Sequence, residues 1–224
     1  MVTQTTHMQT IRIDTGYSRI KRVLDIAFTL LISPLILLVG VVIAVCIKLD
    51  SEGPIFYRQK RIGQHGVEFE MLKFRSMYVN CDDQLHRISI EKFMNGYKLN
   101  DEHSDGTVYK VVHDPRITRV GRIIRKMSLD ELPQFWNVLL GEMTLVGPRP
   151  PLSYEVELYS PRDWLRLSGK PGLTGFWQVY GRSRVTFENM VDMDITYLQR
   201  QSFWQDIKLI FLTIPVMLLG RGGV

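Results

Sequence analysis

The chain has 224 residues, of which 45% are hydrophobic, and a formal net charge of +5. That length accommodates one catalytic domain with a substantial core. The excess of basic over acidic residues indicates nucleic acid, an anionic membrane surface or phosphorylated substrates as partners. The sequence has only Cys46 and Cys81, with no zinc-type Cys/His spacing, and it lacks the Walker A, G-x-G-x-x-G and G-x-S-x-G motifs. Disulfide scaffolds, structural zinc sites and those enzyme classes are therefore disfavoured.

Residues 1–20 form a polar lead-in without the features of a secretory signal. An uncharged run from Ile26 to Ile47 follows, long enough as a helix to cross a hydrocarbon layer of about 30 Å, and we place the membrane helix at residues 21–50. Ser33-Pro34 predicts a kink because proline removes a backbone hydrogen bond. Both flanks are basic, which favours a helix that enters and leaves one leaflet over the alternative, a tilted span.

The segments 55–63 and 69–77, around the turn Gln64-His65-Gly66, predict a β-hairpin. Strand alternation places Lys73 and Arg75 on one face, where two cations could hold a diphosphate; a solvated strand face is the alternative. Residues 80–113 are polar and acidic, and they predict a helix followed by a mobile loop with solvated carboxylates.

The stretch 125–134, R-K-M-S-L-D-E-L-P-Q, contains the most informative pattern. Ser128 and Glu131 fit a capping box, and apolar residues then recur at helical spacing until Gly141, so a helix is predicted to begin at Ser128. A helix N-terminus favours ionised carboxylates and attracts phosphate, and we therefore expect Asp130 to be ionised at neutral pH. A basic stripe precedes it on every third residue: Arg116, Arg119, Arg122 and Arg125.

Cations, a helix end and two acids suit phosphate chemistry, with arginine as a clamp, one carboxylate holding a divalent metal ion and the other free to attack. An ordinary helix cap is the alternative. Downstream, prolines on both sides of Arg149 fix the backbone, which suits either a substrate anion or a rigid exit turn. A glycine-rich turn spans 170–178, and the apolar segment 203–219 is predicted to lie along the membrane interface with Trp204 at headgroup depth.

These motifs together resemble the bacterial polyprenyl-phosphate sugar-1-phosphate transferases, which are monotopic phosphoglycosyl transferases. The resemblance extends from Lys21 onward. It rests on K-R-x-x-D before an apolar run with Ser33-Pro34, K-F-R-S-M, D-P-R-I-T-x-x-G-R-x-x-R-K, S-L-D-E-L-P-Q-x-x-N-V-L-x-G, V-G-P-R-P and K-P-G-x-T-G. We expect an α+β, mostly helical fold, with a re-entrant membrane helix, a cytosolic catalytic domain over 51–224, a small hairpin or sheet, and interfacial amphipathic helices.

The resemblance implies a two-step reaction at the cytoplasmic face of the bacterial inner membrane. Asp130 would attack the β-phosphate of a UDP-sugar, release UMP and form an aspartyl phosphosugar, and polyprenyl phosphate would then accept the sugar phosphate. Glu131 and Asp130 would bind Mg²⁺, and Arg125 would contact phosphate. The remaining expected substrate-binding residues are Lys73, Arg75, Arg116, Arg122, Arg149, Thr174 and Gln178.

Many members of the family carry further membrane helices and another domain, and this chain resembles their catalytic part standing alone. The expected donor sugar is glucose or galactose, with an N-acetylated sugar as runner-up, and the other expected partners are polyprenyl phosphate and membrane lipid, with a homodimer as a candidate assembly. We expect no nucleic-acid binding, because no nucleic-acid-binding motif is recognisable. The competing hypotheses are a membrane-bound scaffold and a glycosyltransferase that releases UDP.

Overall fold

The computed structural model describes residues 11, 15–79, 84–95, 114–181 and 185–218. Helices dominate the described chain, with two small two-stranded sheets, which confirms the expected α+β, mostly helical class. The predicted loop within 96–113 and the acidic residues at 82 and 83 lie outside the described residues. The elements are α1 (Thr15–Asp50), β1 (Phe56–Ile62), β2 (Glu68–Phe74), α2 (Gln84–Met94), α3 (Arg119–Lys126), α4 (Gln134–Leu140), β3 (Thr144–Val146), α5 (Ser153–Val156), β4 (Gly172–Thr174), α6 (Phe176–Tyr180), α7 (Phe187–Arg200) and α8 (Phe203–Leu218).

Helix α1 begins at Thr15 rather than at residue 21, and its helical backbone continues through Pro34. Proline lacks the N–H that would bond the carbonyl four residues earlier, which is that of Leu30. The hydroxyl of Ser33 donates to this Leu30 carbonyl at 2.8 Å instead. An unpaired carbonyl is costly in an apolar environment, so the serine lets the helix accommodate its proline.

Both ends of α1 bond to the same domain. Near its start, the Arg22 guanidinium donates to the carbonyl of Leu139 at the end of α4, at 2.8 Å. Near its end, the Asp50 carboxylate accepts a 3.0 Å hydrogen bond from the backbone N–H of Val120 in α3. The two helices that flank the carboxylate pair predicted as the reactive centre are thus each attached to one end of α1.

The middle of α1 is apolar and exposed. Leu31 is 76% exposed, and Leu35, Leu37 and Leu38 are each more than 60% exposed. Among the described residues, α1 is the one helix long and apolar enough to cross a membrane. An exposed apolar surface of this extent indicates membrane association.

The predicted hairpin is confirmed, with β1 and β2 antiparallel and Phe56 opposite Phe74. Its turn includes His65 and Gly66, both in the left-handed region at φ 58° and 82°. A second sheet, in which β3 and β4 pair in parallel through Thr144 and Gly172, is not predicted by the sequence. Strands of three residues are too short to produce a readable alternation.

The central core packs the hairpin, β3 and helices α4, α7 and α8 together behind the predicted site. Asn137 of α4 fixes the hairpin in this arrangement, because its side chain accepts from the N–H of Leu72 at 3.1 Å and donates to the carbonyl of Glu70 at 2.7 Å. The register of β2 relative to α4 is thereby set. The buried residues of this core include Phe69, Met71, Val138, Met143, Leu145, Val146, Tyr197, Leu198 and Leu209.

A buried group of polar side chains joins α1 to α8, and we call Tyr17, Lys21, Tyr197 and Asp206 the anchor cluster. The ammonium of Lys21 forms an ion pair with Asp206. The hydroxyls of Tyr17 and Tyr197 each donate to the same carboxylate at 2.7 Å. Trp204 in α8 is 77% exposed, whereas Asp206 two residues later is buried.

Candidate active site

Asp130 and Glu131, the carboxylate pair, lie in a 3₁₀ turn (Leu129–Glu131) between α3 and α4. The predicted capping box is wrong: Ser128 is in the left-handed region at φ 55°, and its side chain makes no capping hydrogen bond. Helix α4 begins only at Gln134, after Pro133. The carboxylates therefore precede the first turn of α4 instead of occupying it.

Glu131 is held by cations from two other parts of the chain. The ammonium of Lys73, at the end of β2, donates to Glu131 Oε1 at 2.9 Å, and Arg149 Nη1 lies 3.9 Å from the same oxygen. Burial alone would raise the pKa of Glu131, but Lys73, Arg149 and Arg61 outweigh it and lower that pKa to about 2. Glu131 is thus a permanent anion at neutral pH.

The pKa of Asp130 is shifted in the opposite direction from that of Glu131. It is 9% exposed, and this burial raises the pKa of Asp130 above its ordinary value. Lys73 and Arg125 lower this pKa, and the Glu131 anion raises it. A helix N-terminus would lower the pKa, but here desolvation exceeds the stabilisation of the charged form; that Asp130 is ionised at neutral pH stays a prediction. Two adjacent carboxylates with separated pKa values are typical of a functional site.

Cations are crowded around this pair. Burial lowers the pKa of Lys73, and burial together with the nearby Arg149 lowers the pKa of Arg61 to about 10. Desolvation is the main cause of both shifts, and repulsion from Arg149 adds to each of them. The site is electrostatically prepared for an incoming anion.

The Arg149 loop is fixed by two buried arginines that the sequence analysis did not select. Arg61 Nη1 donates to the carbonyl of Pro150 at 2.9 Å, and Arg166 Nη2 donates to the carbonyl of Arg149 at 3.3 Å. Arg166 itself forms a buried 2.7 Å ion pair with Asp194. These hydrogen bonds further restrict the backbone of the proline-flanked segment, which the sequence predicts to be rigid. Arg61 belongs to a visible basic run, but no sequence signal distinguishes Arg166.

Glu131 and Arg149 line a cleft of about 210 Å³. Gln178, an expected substrate-binding residue, lies in the same cleft, as does Gln134, which the sequence analysis did not select. The cleft is also lined by Arg61, Met71 and Leu173.

Two expected substrate-binding residues bond elsewhere, and the structure corrects their assignment. Arg75 is buried, and its guanidinium donates to the carbonyls of Ser51 and Glu52 at 2.6 Å each, which fixes the loop after α1. Thr174 is buried, and its hydroxyl lies 2.7 Å from that of Thr213 in α8. Strand alternation failed for Arg75 because β2 ends at Phe74, one residue earlier.

The basic stripe divides into residues with different surroundings. Arg116 precedes α3 and pairs with Asp114 at 2.7 Å, whereas Arg122 is exposed on α3. Arg125, in the last turn of α3, is close enough to lower the pKa of Asp130. Of the stripe, Arg125 is therefore the member that the structure connects to the carboxylate pair.

Residues 16–220 match the family described as bacterial sugar transferase. The chain belongs to this family. The exopolysaccharide production protein ExoY of Sinorhizobium fredii is 42% identical over 208 residues, which cover 91% of this chain and 87% of ExoY.

Two further relatives of this sugar transferase carry names that specify a sugar. The galactosyl transferase CpsE of Streptococcus agalactiae is 41% identical over 204 residues, which cover 91% of this chain and 43% of CpsE. The UDP-glucose:undecaprenyl-phosphate glucose-1-phosphate transferase of Caulobacter vibrioides is 38% identical over 210 residues, which cover 88% of this chain and 69% of that protein. The chain thus spans less than half of the length of CpsE and most of the length of ExoY.

The carboxylate oxygens at this site are ligands of the kind that Mg²⁺ prefers. Asp130 and Glu131 are adjacent carboxylates, and Lys73 uses only one of the two Glu131 oxygens. Mg²⁺ is commonly bound by one or two carboxylates together with substrate phosphates and water, rather than by an all-protein cage. The described residues contain no group of three or more His, Cys, Asp or Glu side chains that could hold a metal ion.

Proposed function

We propose that this sugar transferase moves a hexose-1-phosphate from a UDP-hexose to polyprenyl phosphate and releases UMP. The observation that carries the proposal is the carboxylate pair, in which Asp130 is buried and Glu131 is half-buried, beside Lys73 and Arg149 at the edge of a cleft. A nucleophile, an anion-binding set of cations and space for a ligand are thus in one place. The name of the Caulobacter relative describes a reaction of this type.

Asp130 is the proposed nucleophile. One of its oxygens forms a bond to the β-phosphorus of the donor, and the bond from that phosphorus to the bridging oxygen breaks, so UMP leaves with that oxygen and its electron pair. An oxygen of polyprenyl phosphate then attacks the phosphorus of the aspartyl phosphosugar. The bond to Asp130 breaks and the carboxylate is restored, without any net oxidation or reduction.

Each step brings one anion onto another, so the surrounding charges are essential. Lys73 and Arg149 offset the charge of the diphosphate, and Arg125 favours the ionised form of Asp130. Glu131 and Asp130 are the residues that would hold a Mg²⁺ ion, which would further neutralise the phosphate charge. With its pKa at about 2, Glu131 remains an anion suited to hold a metal ion and is a poor general base.

The proposed setting is the cytoplasmic face of the bacterial inner membrane. The apolar middle of α1 enters the bilayer, and both of its ends, which bond to α3 and α4, remain on one side. Helix α8 lies along the interface with Trp204 at headgroup depth. This re-entrant insertion places the carboxylate pair near the surface where the phosphate of a polyprenyl lipid would be.

Glucose or galactose is the proposed sugar, because the names of the Caulobacter and Streptococcus relatives specify these hexoses. ExoY is named for exopolysaccharide production, so we place the reaction at the first membrane step of such a pathway. An N-acetylated sugar is the second candidate for the donor.

The test is to incubate the protein in nanodiscs with Mg²⁺, polyprenyl phosphate and a panel of UDP-sugars, and to identify the nucleotide released. We expect UMP, and we expect Asp130→Asn to abolish its release while Asp192→Asn, an exposed carboxylate change, retains it. Intact-protein mass spectrometry without acceptor should detect the phosphosugar on the wild type alone. UDP as the product would indicate glycosyl transfer and overturn the proposal, and so would an Asp130→Asn variant with wild-type UMP release.

A further inference from the structure

The cleft beside Glu131 contains two amide atoms that are buried without a hydrogen-bond partner among the described residues. They are Nε2 of Gln134 and Oε1 of Gln178. Gln134 is only 2% exposed. Burying an unpaired amide opposes folding, so unpaired amides that line a cleft indicate that a ligand completes their hydrogen bonds.

The two glutamines belong to different helices, and the fold brings both to the same cleft. Gln134 is the first residue of α4, and Gln178 lies within α6, where its Nε2 makes one long contact of 3.4 Å to the carbonyl of Leu173. Gln134 offers N–H groups as donors, and Gln178 offers its side-chain oxygen as an acceptor. Together they match a group that both accepts and donates, as a hydroxyl does.

The lining of the cleft combines the apolar side chains of Met71 and Leu173 with the two amides. A hexose ring has the same combination of C–H faces and hydroxyl edges.

We propose that Gln134 and Gln178 form the subsite for the hexose ring of the donor and bond its hydroxyl groups. The inference rests on the proposed function, and it assigns residues that select the sugar. The sugar is attached directly to the β-phosphorus that Asp130 attacks, whereas the nucleoside lies beyond the α-phosphate. The ring nearest to the carboxylate pair is therefore the sugar, and Glu131 lines this cleft.

The experiment measures kcat/KM for UMP release from the preferred UDP-hexose and from analogues that each lack one hydroxyl group. The wild type should discriminate about tenfold against an analogue that lacks a contacted hydroxyl. Gln134→Met and Gln178→Met keep the side-chain length without the amide, and each should remove most of the discrimination at one hydroxyl. Inhibition by UMP should be unchanged in both variants, and Gln201→Met, at the end of α7, should behave as the wild type throughout.

Thermal unfolding separates this role from a structural one. Because the amide nitrogen of Gln134 has no partner in the described protein, Gln134→Met should keep or raise the unfolding midpoint, whereas a glutamine needed for the fold would lower it. A lowered midpoint, or wild-type discrimination in both variants, would overturn the subsite. Weaker inhibition by UMP would overturn it in favour of a nucleoside site. If the wild type released no UMP from any donor, the proposed function itself would fail, and the subsite with it.

Discussion

The anchor cluster and the carboxylate pair are both buried groups of acids and bases, but they differ in how completely each acid is satisfied. Asp206 receives Lys21 and two tyrosine hydroxyls at its two oxygens. Glu131 receives Lys73 at one oxygen, while Arg149 remains 3.9 Å away with 40% of its side chain exposed. Acidic and basic residues thus hold α1 and α8 together in the anchor cluster, whereas at the carboxylate pair they remain available to a ligand.

The difference has a physical basis in how the neighbouring charges balance. In the anchor cluster, one anion is matched by one cation and by neutral donors, so no charge is left for a substrate. Around the carboxylate pair, Arg61 and Lys73 have lowered pKa values, which an anionic ligand would raise again. Satisfied polar groups stabilise a fold, whereas incompletely satisfied groups at a cleft are available for binding.

The largest expected effect on the anchor cluster comes from Asp206→Asn. This change removes the carboxylate that is paired with the buried ammonium of Lys21, and breaking a buried ion pair in this way typically costs about 3–5 kcal/mol of stability. Thermal unfolding in nanodiscs should show the loss, while the KM for the donor should stay at its wild-type value.

Two controls define this result. Asp192→Asn breaks an exposed pair with Arg162 and should cost at most about 1 kcal/mol. The double variant Lys21→Met/Asp206→Asn should recover much of the lost stability, because the unpaired charge is gone. If Asp206→Asn raised the KM for the donor and left the stability normal, the anchor cluster would have a role in substrate binding, contrary to the structural role given to it here.

In the carboxylate pair, Lys73→Met should impair the reaction rather than the fold. Removing one electrostatic contact to the developing charge typically lowers kcat by about 10²- to 10³-fold. UMP release measures the effect, and the unfolding midpoint should change little because the side chain is also relieved of its burial cost. Lys60→Met is the matched control: it lies on the same hairpin and pairs with Glu68, but it is exposed. Equal loss of activity in both variants would exclude a specific role for Lys73.

Arg75→Met tests whether a buried arginine near the site belongs to the fold. Its guanidinium bonds the loop at Ser51 and Glu52, and hydrogen bonds from a charged donor are each worth about 1.5–3 kcal/mol. We expect a loss of about 2–3 kcal/mol in unfolding free energy with an unchanged KM. Arg58→Met, which changes an exposed arginine of the same hairpin, should be close to neutral. A donor KM raised severalfold by Arg75→Met would restore its assignment to substrate binding.

The same two regions show what the sequence could predict. The hairpin and the end of α4 at Gly141 depend on residues close together in the chain, and both predictions are confirmed. The pairing of Lys21 with Asp206 joins residues 185 positions apart, and no periodic pattern reports such a contact. The capping box failed although it is local, because Pro133 delays the start of α4. The motifs located the acids correctly, but burial, which sets the pKa of Asp130, depends on the whole fold.

The smallest expected effect is also the most specific to the carboxylate pair, and it concerns the pH dependence of UMP release. The reaction requires Asp130 as a carboxylate, so kcat/KM should fall as the pH falls through the pKa of Asp130. Burial raises that pKa and Lys73 lowers it, so removing the Lys73 charge raises it further. Since a neighbouring cation favours the ionised form of a carboxylate, the acid limb of Lys73→Met should move to higher pH.

Lys60→Met should leave the acid limb of that profile in place, since Lys60 lies outside the charges that act on Asp130. In the wild type, Glu131 does not produce the limb, because a group with a pKa of about 2 stays ionised over the measurable range. An unmoved limb in Lys73→Met would mean that the titrating group is not Asp130. The charges around the carboxylate pair would then not control the reaction, and the electrostatic contrast with the anchor cluster would fail.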